Sequence, residues 1–214
     1  IYGLVRLDAF NSTNPFRGVL GTDIIVLSEL SALGSIAYVD ELLFYQRSHR
    51  PPESPEQSVR RTLKSMNPDQ HKIKFETAWL DLLGGHLEVL NKQNISKESE
   101  NFLLDKLMEC FKLNYGESPK TEVQKLSDYY IKYFESNKNG QSNLRFIREA
   151  QIALGYINLG LLLYPKFNNL IEAYKICSSI ITSTFVKRVK IAGENESEKD
   201  LTQIDQVSTF AIEI

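Results

Sequence analysis

Arg50-Pro51-Pro52-Glu53-Ser54-Pro55 divides this sequence. Three prolines in six residues continue neither a strand nor a helix interior, because each lacks an N–H and has a fixed φ. Before this stretch, short β-like runs surround one helix; after it, almost everything reads as helix. The expected fold class is mainly α with a small α/β N-terminal portion. Residues 1–50 form the end of a sheet domain, 51–192 a helical extension, and 193–214 an acidic linker or tail.

Toward the N-terminus, residues 2–6 predict a strand and 8–10 a short turn of helix. Residues 11–21 are loop, rich in Asn, Ser, Thr, Pro and Gly. Thr22-Asp23 then opens a helix whose Val26, Leu27, Leu30 and Leu33 recur at three- and four-residue spacing, giving one apolar face. Gly34 is the expected C-cap, and 35–39 and 42–47 predict two strands around Asp40-Glu41. That order, strand, loop, helix, strand, strand, is a piece of an α/β sheet too small to bury both faces alone.

Toward the C-terminus, Asn67-Pro68 starts a helix with Ile73, Leu80, Leu83, Leu87 and Leu90 on one stripe. Ser96 caps the next, with Glu98 and Glu100 in its first turn. That helix is expected to bury Leu103, Leu104, Leu107, Met108 and Phe111 and to stop at Gly116. Further helices are expected over 120–134, from about 142 to Pro165, and over 169–190. No internal repeat has a convincing period.

Composition sets the outer limits. The 214 residues carry 25 basic and 27 acidic side chains, a net charge of -2, with 42% hydrophobic and 10% aromatic residues. This excludes a disordered chain, a collagen and a disulfide scaffold, and the absent basic excess argues against nucleic acid as a partner. Cys110 and Cys177 lie in apolar stretches and read as small buried hydrophobes in a reducing, cytoplasmic setting. The most apolar run, 152–164, falls short of the ~20 residues that span a bilayer and holds Asn158 and two glycines, so no transmembrane segment is expected. The chain starts at Ile1 rather than Met, which reads as a piece of a longer protein.

Few residues offer chemistry. Asp23, at the mouth of a helix behind a flexible loop, is placed to act as a general base held by backbone amides; the simpler alternative is a helix cap. His49, between Arg47 and Arg50 at a strand end, suits a diphosphate or its metal, the alternative being an exposed polar strand end. His71 and His86 lack metal-ligand spacing and read as structural, Gly84-Gly85 as a site of close packing or a kink, and Trp79 as core. The cluster Tyr129, Tyr130, Tyr133 and Phe134 reads as core or interface. No Gly-x-Ser-x-Gly elbow, P-loop or His-Glu-x-x-His is present.

Taken in order, Tyr2-Gly3-Leu4-Val5-Arg6, Gly21-Thr22-Asp23, Leu27-x-Glu29-Leu30-x-x-x-Gly34 and 40–49, which ends Tyr45-Gln46-Arg47-Ser48-His49, resemble the C-terminal part of the catalytic domain of family 2 glycosyltransferases. The resemblance covers about the first 50 residues. It implies a GT-A, Rossmann-like sheet, and glycosyl transfer with inversion from a nucleotide-diphosphate sugar to a hydroxyl of a carbohydrate or lipid-linked acceptor. It makes Asp23 the general base, places Arg47 and His49 near the diphosphate, and places His49 at a divalent metal, Mg or Mn. The family's Asp-x-Asp motif is absent, Gln46 stands where Arg is common, and Thr22 where Ser is commoner. The nucleotide-binding half is therefore expected to lie before Ile1, and this chain alone is expected to be inactive. The location implied is cytoplasmic, free or peripheral to a membrane, with self-association through the helices as one option. The competing function is a non-catalytic helical protein–protein interaction module.

Overall fold

The computed structural model describes residues 4–15, 17–37, 40–41, 57, 61–62, 77–137 and 144–194, with side chains in the last helix described to residue 184. The described residues are mainly helical. Seven helices carry them: α1 (Leu7–Asn11), α2 (Thr22–Leu33), α3 (Ala78–Asn91), α4 (Lys97–Tyr115), α5 (Ser118–Ser136), α6 (Leu144–Leu163) and α7 (Asn168–Glu194). By its contacts the chain forms two compact units, Ile1–Phe111 and Lys112–Ile214.

Residues 4–6 and 35–37 are not strands. A strand persists only where a neighbour pairs with its N–H and C=O groups, and the described residues offer none. The expected strand at 42–47, the proline boundary at 50–55 and the tail beyond 194 lie outside the described residues.

In the first unit, α2 packs on α3. The buried face of α2 is Thr22, Ile25, Val26 and Leu30; of the expected stripe, Val26 and Leu30 are buried, whereas Leu27 and Leu33 stay exposed. The partner sets this face. A Cβ on Gly85 of α3 would overlap Ile25 Cδ1, so the missing side chain lets Ile25 seat against the α3 backbone. The close-packing reading of Gly84-Gly85 thus holds at Gly85. Helix α3 buries Ala78, Leu80, Leu82, Leu83, Leu87 and Val89; each fully buried leucine contributes about 1.5–3 kcal/mol. Leu90 is only half-buried, and so is Trp79, which is not a core residue.

Ser96 caps α4 as expected, its Oγ accepting the Ser99 N–H at 3.2 Å. Of the five apolar residues expected to be buried there, only Met108 and Phe111 are. Leu103 is exposed and Leu104 and Leu107 half-buried, because no other described helix of its unit packs extensively along α4. Gly116 ends the helix in the left-handed region (φ 55), its N–H on the Lys112 carbonyl at 2.9 Å. Gly34, by contrast, closes α2 with extended backbone (φ 171) and an N–H bond to the Leu30 carbonyl.

The second unit is a three-helix assembly in which α7 packs on both α6 and α5. Pro119 at the first turn of α5 costs no helical hydrogen bond. Phe146, Ala150, Ala153, Ile157 and Gly160 of α6, and Leu170, Ala173, Cys177 and Ile180 of α7, repeat at alternating three- and four-residue steps. That spacing keeps one stripe of each helix facing its partners. The helices meet at Gly160, where an added Cβ would stand 3.1 Å from Leu170 Cδ1 and 3.2 Å from Val123 Cγ2. At one end of the core, Phe134 stacks on Tyr130 (centroids 5.7 Å) and meets Phe146 edge-on (5.1 Å).

Helix α6 is 20 residues long with mean hydropathy 1.2, long and apolar enough to cross a bilayer by length and composition. One stripe of it packs against α5 and α7, while Leu144 and Ile152 are exposed.

Candidate functional site

The loop before α2 turns at Gly21, whose φ of 70 is readily available only to glycine. A side chain there would also stand 3.0 Å from Leu82 of α3. Thr22 follows, buried, its hydroxyl 2.6 Å from the Arg17 carbonyl and 2.8 Å from the Val19 carbonyl. Its single proton is shared between these two acceptors, which ties the loop to the first turn.

Asp23 therefore begins α2 on a fixed backbone, with its side chain exposed. Two sequence expectations fail here together. Gly21 is the N-cap residue and no side chain caps α2, so the Asp23 carboxylate is neither a cap nor held by backbone amides. Among the described residues it makes no hydrogen bond or ion pair, and it lies where the helix dipole favours negative charge.

Behind the loop lies a polar cluster that sequence reasoning missed. The Arg17 guanidinium is almost entirely buried, its side chain 8% exposed. Its Nη2 donates to Glu29 Oε1 of α2 at 2.8 Å and to Glu88 Oε1 of α3 at 3.3 Å. Glu29 is buried as deeply, and its second oxygen accepts the Asn14 N–H at 3.0 Å. Nη1 is buried without a hydrogen-bond partner. Glu88 is half-exposed and also paired with Lys92; the Lys92 hydrogen bond, aided by Arg17, holds its pKa below the usual range against some burial.

His86 shares this interface. Its Nδ1 lies 3.0 Å from Ser28 Oγ. Burial, and then the positive charge of Arg17, lower its pKa, so the neutral ring is favoured. The structural reading of His86 holds. The signals were thin: Arg17 stands alone in a loop, and its Glu88 partner is 71 residues away.

Arg47, His49 and His71 lie outside the described residues, so the structure places Asp23 but not its expected companions. No three His, Cys, Asp or Glu residues gather into a metal-holding group among the described residues. Of the cysteines, Cys177 is buried, with burial pushing its thiol up to about 12, whereas Cys110 is exposed, contrary to expectation. Cys110 sits on an outward face of the sparsely packed α4. Neither a family model, nor a curated protein, nor a solved structure matches this chain.

Proposed function

We propose that this chain is the acceptor-side end of an inverting glycosyltransferase, joined to a helical extension, with Asp23 as its general base. The observation that carries the reading is the carboxylate of Asp23: exposed, unengaged among the described residues, and mounted on a first turn whose backbone Thr22 and Gly21 fix. The residues quoted for the family resemblance supply the reaction. An acceptor hydroxyl loses its proton to Asp23 as its oxygen attacks the anomeric carbon, and the nucleoside diphosphate leaves from the opposite face. Positioning the carboxylate before the acceptor arrives removes much of the ordering cost.

The GT-A sheet around α2, the nucleotide-sugar donor and a Mg or Mn ion with Arg47 and His49 beside it belong to this proposal for the intact protein. The described residues do not form a metal site.

In the intact protein, Asp23→Asn is expected to lower transfer by about 10²–10⁴-fold while nucleotide-sugar binding persists; turnover at the wild-type rate removes Asp23 from its role. His49→Ala is expected to weaken metal-dependent nucleotide binding, and equal affinity with and without metal rules that out. A second reading, a non-catalytic helical interaction module, draws on α4, which leaves Phe102 (60%) and Leu103 (43%) exposed. A nucleotide-sugar binding screen on the intact protein separates the two: saturable binding supports the transferase, and its absence with concentration-dependent association supports the module.

A further inference from the structure

We infer that Arg17 is a positioning residue for Asp23, and that α3 supplies half of the clamp that holds it. This rests on the glycosyl-transfer reading of Asp23. The clamp itself is visible in four contacts between the Asp23 region and α3. Leu82 lies against Gly21, Gly85 against Ile25, His86 against Ser28, and Glu88 against Arg17. The first three advance in step along both helices, and the fourth reaches back to the loop before α2, so α3 braces α2 from its N-terminal turn to its middle.

Arg17 closes the arrangement. Its side chain reaches Glu29 and Glu88 on the two helices, while its own carbonyl accepts from Thr22, the residue before Asp23. The side chain and main chain of one residue thus lock the loop at both ends. A buried guanidinium is costly unless paired, so small displacements of the loop that part Arg17 from Glu29 while either stays buried are disfavoured. Helix α3 is accordingly part of the proposed site, rather than a separate appendage.

The test removes the pair without stranding a charge. In Arg17→Met/Glu29→Gln, amide hydrogen exchange over residues 18–23 is expected to speed up by about tenfold or more, with exchange in α5–α7 unchanged. Unchanged exchange over 18–23 overturns the clamp. Should this variant fail to fold, Glu88→Gln, which removes only the half-exposed partner, gives the same readout with a smaller expected rise, and unchanged exchange again overturns the clamp. In transfer assays on the intact protein, the double variant is expected to lower kcat by about tenfold or more with the donor KM little changed, and Arg17→Lys to restore part of it. A loosened loop with unaltered kcat overturns the positioning role. If the wild-type protein transfers no sugar, the glycosyl-transfer reading falls, and exchange over 18–23 still decides the clamp.

Discussion

The two units of this chain solve the same packing problem differently. In the second, three helices close on one another through Val123, Gly160 and Leu170, with the Phe134 aromatic cluster at one end of the core. In the first, α2 and α3 bury Ile25, Val26, Leu80, Leu82 and Leu83, with Ile25 seated at Gly85, and a buried Arg17–Glu29 ion pair ties the preceding loop to α2, while Leu4, Leu7, Leu33 and Ile36 stand mostly in water. Close apolar interdigitation stabilises a unit without directing any group outward. A polar clamp adds little net stability but fixes geometry. Both units have a buried apolar core, and the first adds a polar clamp to it.

The comparison breaks first at Phe134, which is 1% exposed and packed among rings on two helices. Phe134→Ala is expected to destabilise the second unit by about 3–5 kcal/mol. Helix-resolved hydrogen exchange in denaturant should show the loss across α5–α7 and leave α2–α3 unaffected; equal loss in both units would end the distinction. Gly85→Ala is the matching change in the first unit. Ile25 is fully buried and must repack within the core, so the overlap should cost about 1–3 kcal/mol, read as faster exchange in α2 and α3. Thr22→Val leaves two carbonyls without their donor and is expected to cost about 1 kcal/mol, concentrated in amides 18–25.

The pH response sharpens the comparison further. His86 has its folded pKa lowered below 6.5 by burial and Arg17. The unfolded chain therefore takes up the proton first as pH falls. The contribution is complete above about 6.5 and is lost as pH drops from there toward the folded value. Urea melts between pH 7 and 5 should weaken α2–α3, and His86→Gln should flatten that slope. All three histidines, His49, His71 and His86, precede residue 112, so the second unit has none to titrate in this range. The smallest expected effect is at Lys106 and Glu109, an ion pair on the solvent face of α4. Lys106→Ala should leave both units' melts unchanged, because exposed pairs gain little against water and salt.

How much was legible follows from how far apart the deciding residues lie. Helices α5, α6 and α7 were readable because their apolar spacing is local, and Ser96 announced α4 by a three-residue pattern. The burial along α4 was not readable, since periodicity shows a face but not whether anything covers it. The buried face of α2 was read only in part, at Val26 and Leu30, for a related reason: Ile25 seats against Gly85, 60 residues away. At the candidate site, the exposed Asp23 was foreseeable from the loop and helix start. Its freedom from capping was not, because Gly21 took that position by its left-handed backbone. The Arg17 clamp joins residues across a separation no local pattern encodes.

The two thiols turn this contrast into a built-in clock. Cys110 lies in the first unit and is open to solvent, whereas Cys177 lies in the core of the second. A thiol-specific reagent therefore modifies Cys110 at once, and its rate calibrates the reagent. Cys177 reacts only in molecules whose three-helix core has opened, because the thiolate is the reactive form and burial suppresses it. The ratio of the two rates in native buffer thus measures the opening free energy of the second unit with no engineered probe.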